Sequence, residues 1–306
     1  MASPHPLLTD VALRDGLQNL ATILPTDAKI AAIAQLIAAG FRSLEVASFV
    51  NPKLVPTMAD ANALCRALPR QPGVEFGGVI LAPRDLDRAM AADLDWLGTV
   101  TSPSQTFLQR NQRCDLAGSL TRLEEIARQT VPSRTLLRGY VSCCFDCPFE
   151  GPVAPERVAD LCEALLSRGV ETVYLADTNG RGTPPRTRAL LDAVVRRVPA
   201  NRLGCHFHDT FGQAIANLDV ALQAGILRID AAVAGMGGCI FVPNAAGNVA
   251  SEEVVHLLAA HGLETGIDPH KAAQVGQKLC DIFQMPNNSK AGRALCTAST
   301  TDRDTL

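Results

Sequence analysis

The chain has 306 residues, 47% of them hydrophobic and 19% charged, with a formal net charge of −3. That is ample material for a core, and the length suits two ordinary domains or one large α/β barrel. Near-neutrality gives no electrostatic basis for nucleic acid or an anionic membrane as partner, so an anionic substrate needs local arginines. No apolar run reaches the roughly 18 residues that span a bilayer. The opening MASPHPLLTD has neither the basic nor the apolar part of a secretion signal. A cytoplasmic protein is expected.

Taken in chain order, short β-branched and apolar runs alternate with helical patterns. A strand is predicted over Leu8–Leu13 and a helix over Asp27–Ala39, stopped by Gly40. Strands over Ser43–Phe49, Phe76–Leu81 and Trp96–Thr101 follow, separated by helices over Thr57–Leu68 and Pro83–Ala92. A helix over Ser119–Thr130 leads to a fifth strand, Thr135–Ser142. Just beyond it Cys144 and Cys147 form a C-x-x-C, but no second pair completes a zinc site. The ten cysteines of this long chain read as reduced thiols. A helix over Pro155–Arg168 precedes the strand Thr172–Asp177, and Thr183-Pro184 caps a helix running to Val198. The strand Leu203–His208, the helix Gly212–Ala224, the strand Ile229–Ala234 and the helix Ser251–His261 finish the alternation.

Eight strands joined by helical crossovers are parallel, and eight closes a (β/α)8 TIM barrel, although an open doubly wound sheet has the same local pattern. The first strand-to-helix junction, Arg14-Asp15-Gly16-Leu17, is not a dinucleotide fingerprint, and no P-loop is present. The expected organisation is a catalytic barrel over 1–267. A C-terminal helical extension over 268–306 follows, with a helix near His270–Phe283, an apolar interface candidate at Val275–Phe283 and a flexible polar end.

Barrel chemistry sits at the C-terminal strand ends. That rule gathers Arg14 and Asp15, Glu45 inside an apolar run, Arg138 and Tyr140, Asp177, His206 and His208, then Cys239 and Asn248. On a strand, His206 and His208 share a face about 7 Å apart, close enough to share a metal ion. Each residue has a plainer reading, Asp177 as a turn former and Cys239 as packing; convergence at one mouth is what favours a site. Asp15, His206, His208 and Asn248 form an oxygen and nitrogen set without thiolate, which favours Mg2+ or Mn2+ over tetrahedral zinc.

Together, Arg14-Asp15-Gly16-Leu17-Gln18-Asn19, Glu45, Arg138-Gly139-Tyr140-Val141-Ser142, His206-Phe207-His208-Asp209-Thr210 and Val233-Ala234-Gly235-Met236-Gly237-Gly238-Cys239 resemble the 3-hydroxy-3-methylglutaryl-CoA lyase family, from about Thr9 to Cys296. The resemblance implies a TIM barrel cleaving an acyl-CoA thioester by a retro-Claisen reaction, as a homodimer or higher homo-oligomer. It implies Asp15, His206, His208 and Asn248 as ligands of Mg2+ or Mn2+, and Arg14 as the group that neutralises the thioester enolate. Cys239 would then be the loop thiol of proton transfer, Glu45 and Asp177 supporting acids, and His206 or Asp177 the base. Ser104, Arg138, Tyr140 and Thr178 would contact substrate, with Arg110 and Asn111 near them.

The chain departs from the family at Leu20-Ala21, Asn179-Gly180-Arg181, Ile240-Phe241 and Asn244-Ala245-Ala246. These lie near the mouth, so a lyase acting on another branched thioester such as citramalyl-CoA is the main alternative, with Arg181 as a candidate reader of a shorter carboxylate. A 4-hydroxy-2-oxo acid aldolase is a further one, and would not need Cys239.

Overall fold

None of the eight barrel strands exceeds six residues, and the regular alternation of the sequence is what arranges them. In the computed structural model, which describes residues 5–238 and 246–301, they are β1 (Leu7–Asp10), β2 (Ser43–Ser48), β3 (Glu75–Val79), β4 (Trp96–Thr101) and β5 (Leu136–Val141). A two-stranded antiparallel hairpin, β6 (Asp146–Cys147) with β7 (Gly151–Pro152), interrupts the series. The remaining barrel strands are β8 (Thr172–Asp177), β9 (Leu203–Phe207) and β10 (Arg228–Ala231). All neighbouring barrel strands are parallel, and the order β1-β10-β9-β8-β5-β4-β3-β2 closes on itself. This is a TIM barrel. Among the described residues, nine α-helices lie between the strands or after the last one: α1 (Thr26–Ala38), α2 (Ala61–Arg66), α3 (Leu86–Met90), α4 (Gln105–Gln112), α5 (Leu116–Thr130), α6 (Pro155–Leu166), α7 (Pro184–Val194), α8 (Ala214–Gln223) and α9 (Ser251–Ala260). Two more, α10 (Pro269–Phe283) and α11 (Lys290–Thr301), follow. No helix among the described residues is long and apolar enough to cross a membrane.

Large side chains fill the barrel interior because glycines face them. A Cβ on Gly77 would fall 1.9 Å from the Trp96 ring, so the indole occupies the space above that glycine. Trp96 in turn lies under the Arg138 guanidinium, 3.8 Å from the ring centroid, and Arg138 reaches Thr9 Oγ1 and Glu75 Oε2, both at 3.3 Å. Tyr140 stacks on Tyr174 at 5.0 Å.

The structure differs from the sequence reading in several places. β1 stops at Asp10, not Leu13, because the Asp10 carboxylate accepts from Ala12 N at 3.0 Å and folds the chain off the sheet. The helices expected over Thr57–Leu68 and Pro83–Ala92 each begin as a 3-10 turn, at Pro56–Met58 and Pro83–Asp85, before short α-helices. Helix α4 was not foreseen: only Phe107 and Leu108 of its eight residues are buried, too few to set an apolar period. At the C-terminus, α11 runs over Lys290–Thr301, and the end of the polar segment expected to be flexible lies outside the described residues. The apolar face of α10, expected as an interface, packs inward: Val275, Gly276, Leu279 and Cys280 are buried, and Ile282 is exposed.

Candidate metal centre at the barrel mouth

Beyond β1 the chain makes a π-helical turn over Ala12–Gly16, with the amides of Arg14, Asp15 and Gly16 all converging on Val11 O. Such a widened turn is a common device at functional sites. It delivers Arg14 and Asp15 to the mouth. From β9 the alternation of the strand directs His206 inward, and His208 follows just past the strand end. The segment carrying Asn248 is stitched alongside: Val249 N donates to Phe207 O at 3.0 Å and Asp209 N to Gly247 O at 3.1 Å, pairing His208 with Asn248.

One donor atom from each of Asp15, His206 and His208 lies within 4.8 Å of the others. Asn248 Nδ2 donates to Asp15 Oδ2 at 2.8 Å, while its carbonyl Oδ1 is buried with no hydrogen-bond partner among the described residues. A spare buried oxygen beside a carboxylate and two imidazoles fits a divalent cation that prefers oxygen and nitrogen ligands. Gly237 closes over this group at φ 131°. A Cβ there would stand 2.6 Å from Asn248 Nδ2 and 3.5 Å from Asp15 Oδ2.

The electrostatics are set by burial and by one arginine. Arg14 Nε donates to Glu45 Oε2 and its Nη1 to Asp15 Oδ1 at 2.8 Å. Burial opposes the Arg14 charge, but Glu45 and Asp15 more than offset it, so the guanidinium is held firmly protonated. Burial works against the Asp15 carboxylate too, yet Arg14, His206, His208 and Asn248 bring it down to about 2. Burial pushes Glu45 up against the pull of Arg14. His208 falls to about 4 through burial and the neighbouring His206.

A cavity opens over this cluster. Arg14, Asp15, His206 and His208 line it together with Gln18, Asn19, Ser48, Asn111, Tyr140, Ser142, Thr178 and Gly238, and an apolar wall of Val50, Val79, Leu81, Val100 and Phe107 faces them. The structure thus assembles Arg14, Asp15, Glu45, Tyr140, Thr178, His206, His208 and Asn248 around one mouth. Other expected site residues are elsewhere. Arg138 lies one strand layer below Tyr140, in the barrel interior, with Trp96 and Glu75. Ser104 is buried as the N-cap of α4, accepting from Phe107 N, with Cys147 Sγ at 3.0 Å. The Asp177 carboxylate accepts from the amides of Arg181 and Gly182, at 3.1 and 2.8 Å, and burial raises it to about 6. Arg181 turns to Asp146 and Phe211, not to the cavity. Arg110 sits over Phe149. Cys239 lies outside the described residues.

Sequence reasoning missed Asp230 on β10, whose Oδ2 is 3.1 Å from His206 Nδ1. Its signal was the one that exposed Glu45: an acid inside an apolar strand, Ile229-Asp230-Ala231. Also missed was Asp10, which accepts from Val233 N and Ser251 Oγ and anchors the turn leading to Gly237.

Fold and site together define a TIM-barrel protein with a carboxylate and bis-histidine cluster at the C-terminal face of its strands. The family model described as HMGL-like matches residues 5–279. A Pseudomonas aeruginosa 3-hydroxy-3-isohexenylglutaryl-CoA/hydroxy-methylglutaryl-CoA lyase is 38% identical over 288 residues, covering 94% of this chain and 96% of its own. The crystal structure of hydroxymethylglutaryl-CoA lyase from Pseudomonas aeruginosa superposes with a TM-score of 0.93 at 37% identity, covering 96% of this chain and 98% of that one. An HMG-CoA lyase from A. baumannii, in complex with coenzyme A and 3-methylmalate, superposes with a TM-score of 0.90 at 33% identity, covering 96% and 97%. The chain belongs to the HMGL-like family.

Proposed function

We propose that this protein is a divalent-metal-dependent carbon–carbon lyase that cleaves 3-hydroxy-3-methylglutaryl-CoA to acetyl-CoA and acetoacetate. The observation that carries the reading is the Asp15, His206 and His208 cluster set against the buried Arg14–Glu45 pair on the floor of one cavity. Mg2+ or Mn2+, held by Asp15, His206, His208 and Asn248, would supply Lewis-acid polarisation of substrate oxygens. The protein's own groups then divide the work. A base takes the proton of the tertiary hydroxyl, the bond between C2 and C3 breaks, and its electron pair passes into the thioester enolate. Of the two candidate bases His206 lines the cavity, whereas the Asp177 carboxylate is committed to loop amides; the one free lone pair of His206 serves the cation or the proton, so it takes the proton only when it is not ligating. Arg14, permanently charged and lining the same cavity, suits the enolate oxygen. Cys239, which follows the cavity-lining Gly238 in sequence, would protonate C2 and release acetyl-CoA. The apolar wall from Val50 to Phe107 suits the methyl branch and the carrier arm.

A CoA thioester is the proposed ligand class, in keeping with the coenzyme A bound to the A. baumannii relative. Among the departures near the mouth that raised the citramalyl-CoA alternative, Arg181 was the candidate reader of a shorter carboxylate; it faces Asp146 and Phe211, so this side chain does not favour it. The test is a panel of branched 3-hydroxyacyl-CoA thioesters given to Mn2+-loaded protein, with the keto product identified by mass spectrometry. Acetoacetate is expected; pyruvate from citramalyl-CoA as the dominant product would replace this reading with the alternative.

A further inference from the structure

We infer that Asp230 is a positioning residue that fixes the tautomer of His206, holding the proton on Nδ1 so that the single lone pair of Nε2 is turned to the mouth, where it serves the cation or a substrate proton, one at a time. The inference rests on the reading of His206 as a ligand or proton acceptor of the proposed site. Three observations carry it. First, the sheet register pairs Asp230 directly with His206 on the adjacent parallel strand, and Asp230 Oδ2 lies 3.1 Å from His206 Nδ1. Second, Asp230 is completely buried and its other oxygen, Oδ1, has no hydrogen-bond partner among the described residues. A buried carboxylate weakens a core unless it serves a partner, and an apolar side chain at this position would pack at lower cost. Third, the imidazole also lies against the Tyr140 ring, edge-on at 86° with centroids 5.7 Å apart, so a half-turn of the ring, which would put Cδ2 in place of Nδ1, loses the bond to Asp230 and disturbs the Tyr140 contact. With Nδ1 committed to Asp230, Nε2 is the atom that His206 contributes to the cluster with Asp15 and His208. A carboxylate behind a metal-ligating histidine sets tautomer and ring orientation and raises the basicity of the ligand.

Asp230→Asn separates this role from simple packing, because it keeps the shape and removes only the charge. Its amide can donate to Nδ1 and so stabilise the wrong tautomer, with the proton on Nε2. The experiment uses full-length protein with 15N-labelled histidine at mildly alkaline pH, the His206 signal being identified by its loss in His206→Gln. Metal-free wild type should show the Nδ1–H tautomer and Asp230→Asn should lose it. By titration with Mn2+ read by electron paramagnetic resonance, Asp230→Asn should bind about 10–100-fold more weakly, as for other residues that support metal ligands. Its kcat should fall with KM nearly unchanged, and the smaller Asp230→Ala should bind Mn2+ at least as well as Asp230→Asn. A purely structural Asp230 predicts the reverse order, with the isosteric variant the milder. An Nε2–H tautomer in wild type, or wild-type Mn2+ affinity in Asp230→Asn, overturns the inference. Should Asp230→Asn fail to fold, the wild-type tautomer decides alone. Absence of Mn2+ binding by wild type would instead overturn the metal reading, and the tautomer would still decide the role of Asp230.

Discussion

Arg14 is the residue on which the site's electrostatics turn. It is nearly buried, and its charge is compatible with that position because Glu45 and Asp15 lie on either side. Glu45→Ala would leave a buried guanidinium short of one partner, and breaking such a pair destabilises by about 3–5 kcal/mol. Urea denaturation should show a loss of that size together with a large fall in kcat; unchanged stability would mean that Glu45 is not the counter-ion the geometry makes it. Cys239 is argued from sequence and chemistry. Cys239→Ser should lower kcat by tens to thousands of fold, the range of general acid–base groups, and near-wild-type turnover would favour an aldolase over the proposed lyase. At this scale the sequence was informative wherever residue type alone betrays a cost. Glu45 in an apolar strand and two histidines on one face stand out, and the structure puts both beside Arg14. It was misleading where direction matters: Arg138 and Tyr140 share a strand face, but only the backbone decides that one lies at the mouth and the other a layer below.

The element that most shapes the mouth is the segment after β10. Asp10 accepts from Val233 N at 2.9 Å and Glu252 from Ala234 N at 3.0 Å, so two buried carboxylates hold successive amides of the turn that leads into Gly237. Gly237→Ala forces a residue with a Cβ into φ 131° and onto Asn248. The flexible amide of Asn248 should yield, so Mn2+ affinity should drop about tenfold or more while the melting temperature moves by only a few degrees; unchanged affinity would show that Asn248 takes no part in the site. Glu252 gives this region a pH signature. Burial raises its carboxyl from 4.5 to about 7, so the folded state binds that proton more tightly than the unfolded chain. The resulting stabilisation is complete below about pH 4.5 and is lost as pH rises through about 7. Glu252→Gln stays neutral throughout, so its melting temperature should gain on wild type between pH 5 and 8; a pH-independent difference would contradict the assignment. None of these backbone anchors was legible in sequence, because Asp10 and Glu252 look like an ordinary strand acid and a helix-start acid until the fold brings Val233 and Ala234 to them. Helix α4 was hidden for a different reason, its polar surface leaving no periodicity to read.

For the molecule as a whole, eight parallel strands explain why residues more than 200 positions apart in the chain converge. Asp15 belongs to the first strand-to-helix loop and Asn248 to the last, and closure of β1 against β10 makes them neighbours. Alternating runs in the sequence allowed this closure but also an open doubly wound sheet; it was the gathering of chemical residues at one set of strand ends, and the family resemblance, that favoured the barrel. The boundaries shifted by a few residues where turns such as that at Asp10 end a strand early. In the function proposed above, this convergence builds a cation site. Anomalous diffraction from crystals soaked in Mn2+ tests it most directly. One strong peak is expected at the mouth, within coordination distance of Asp15, His206 and His208 and of the Asn248 carbonyl, and it should be lost in Asp15→Ala. A peak ligated by other residues, or no peak at Mn2+ concentrations that support turnover, would contradict this reading.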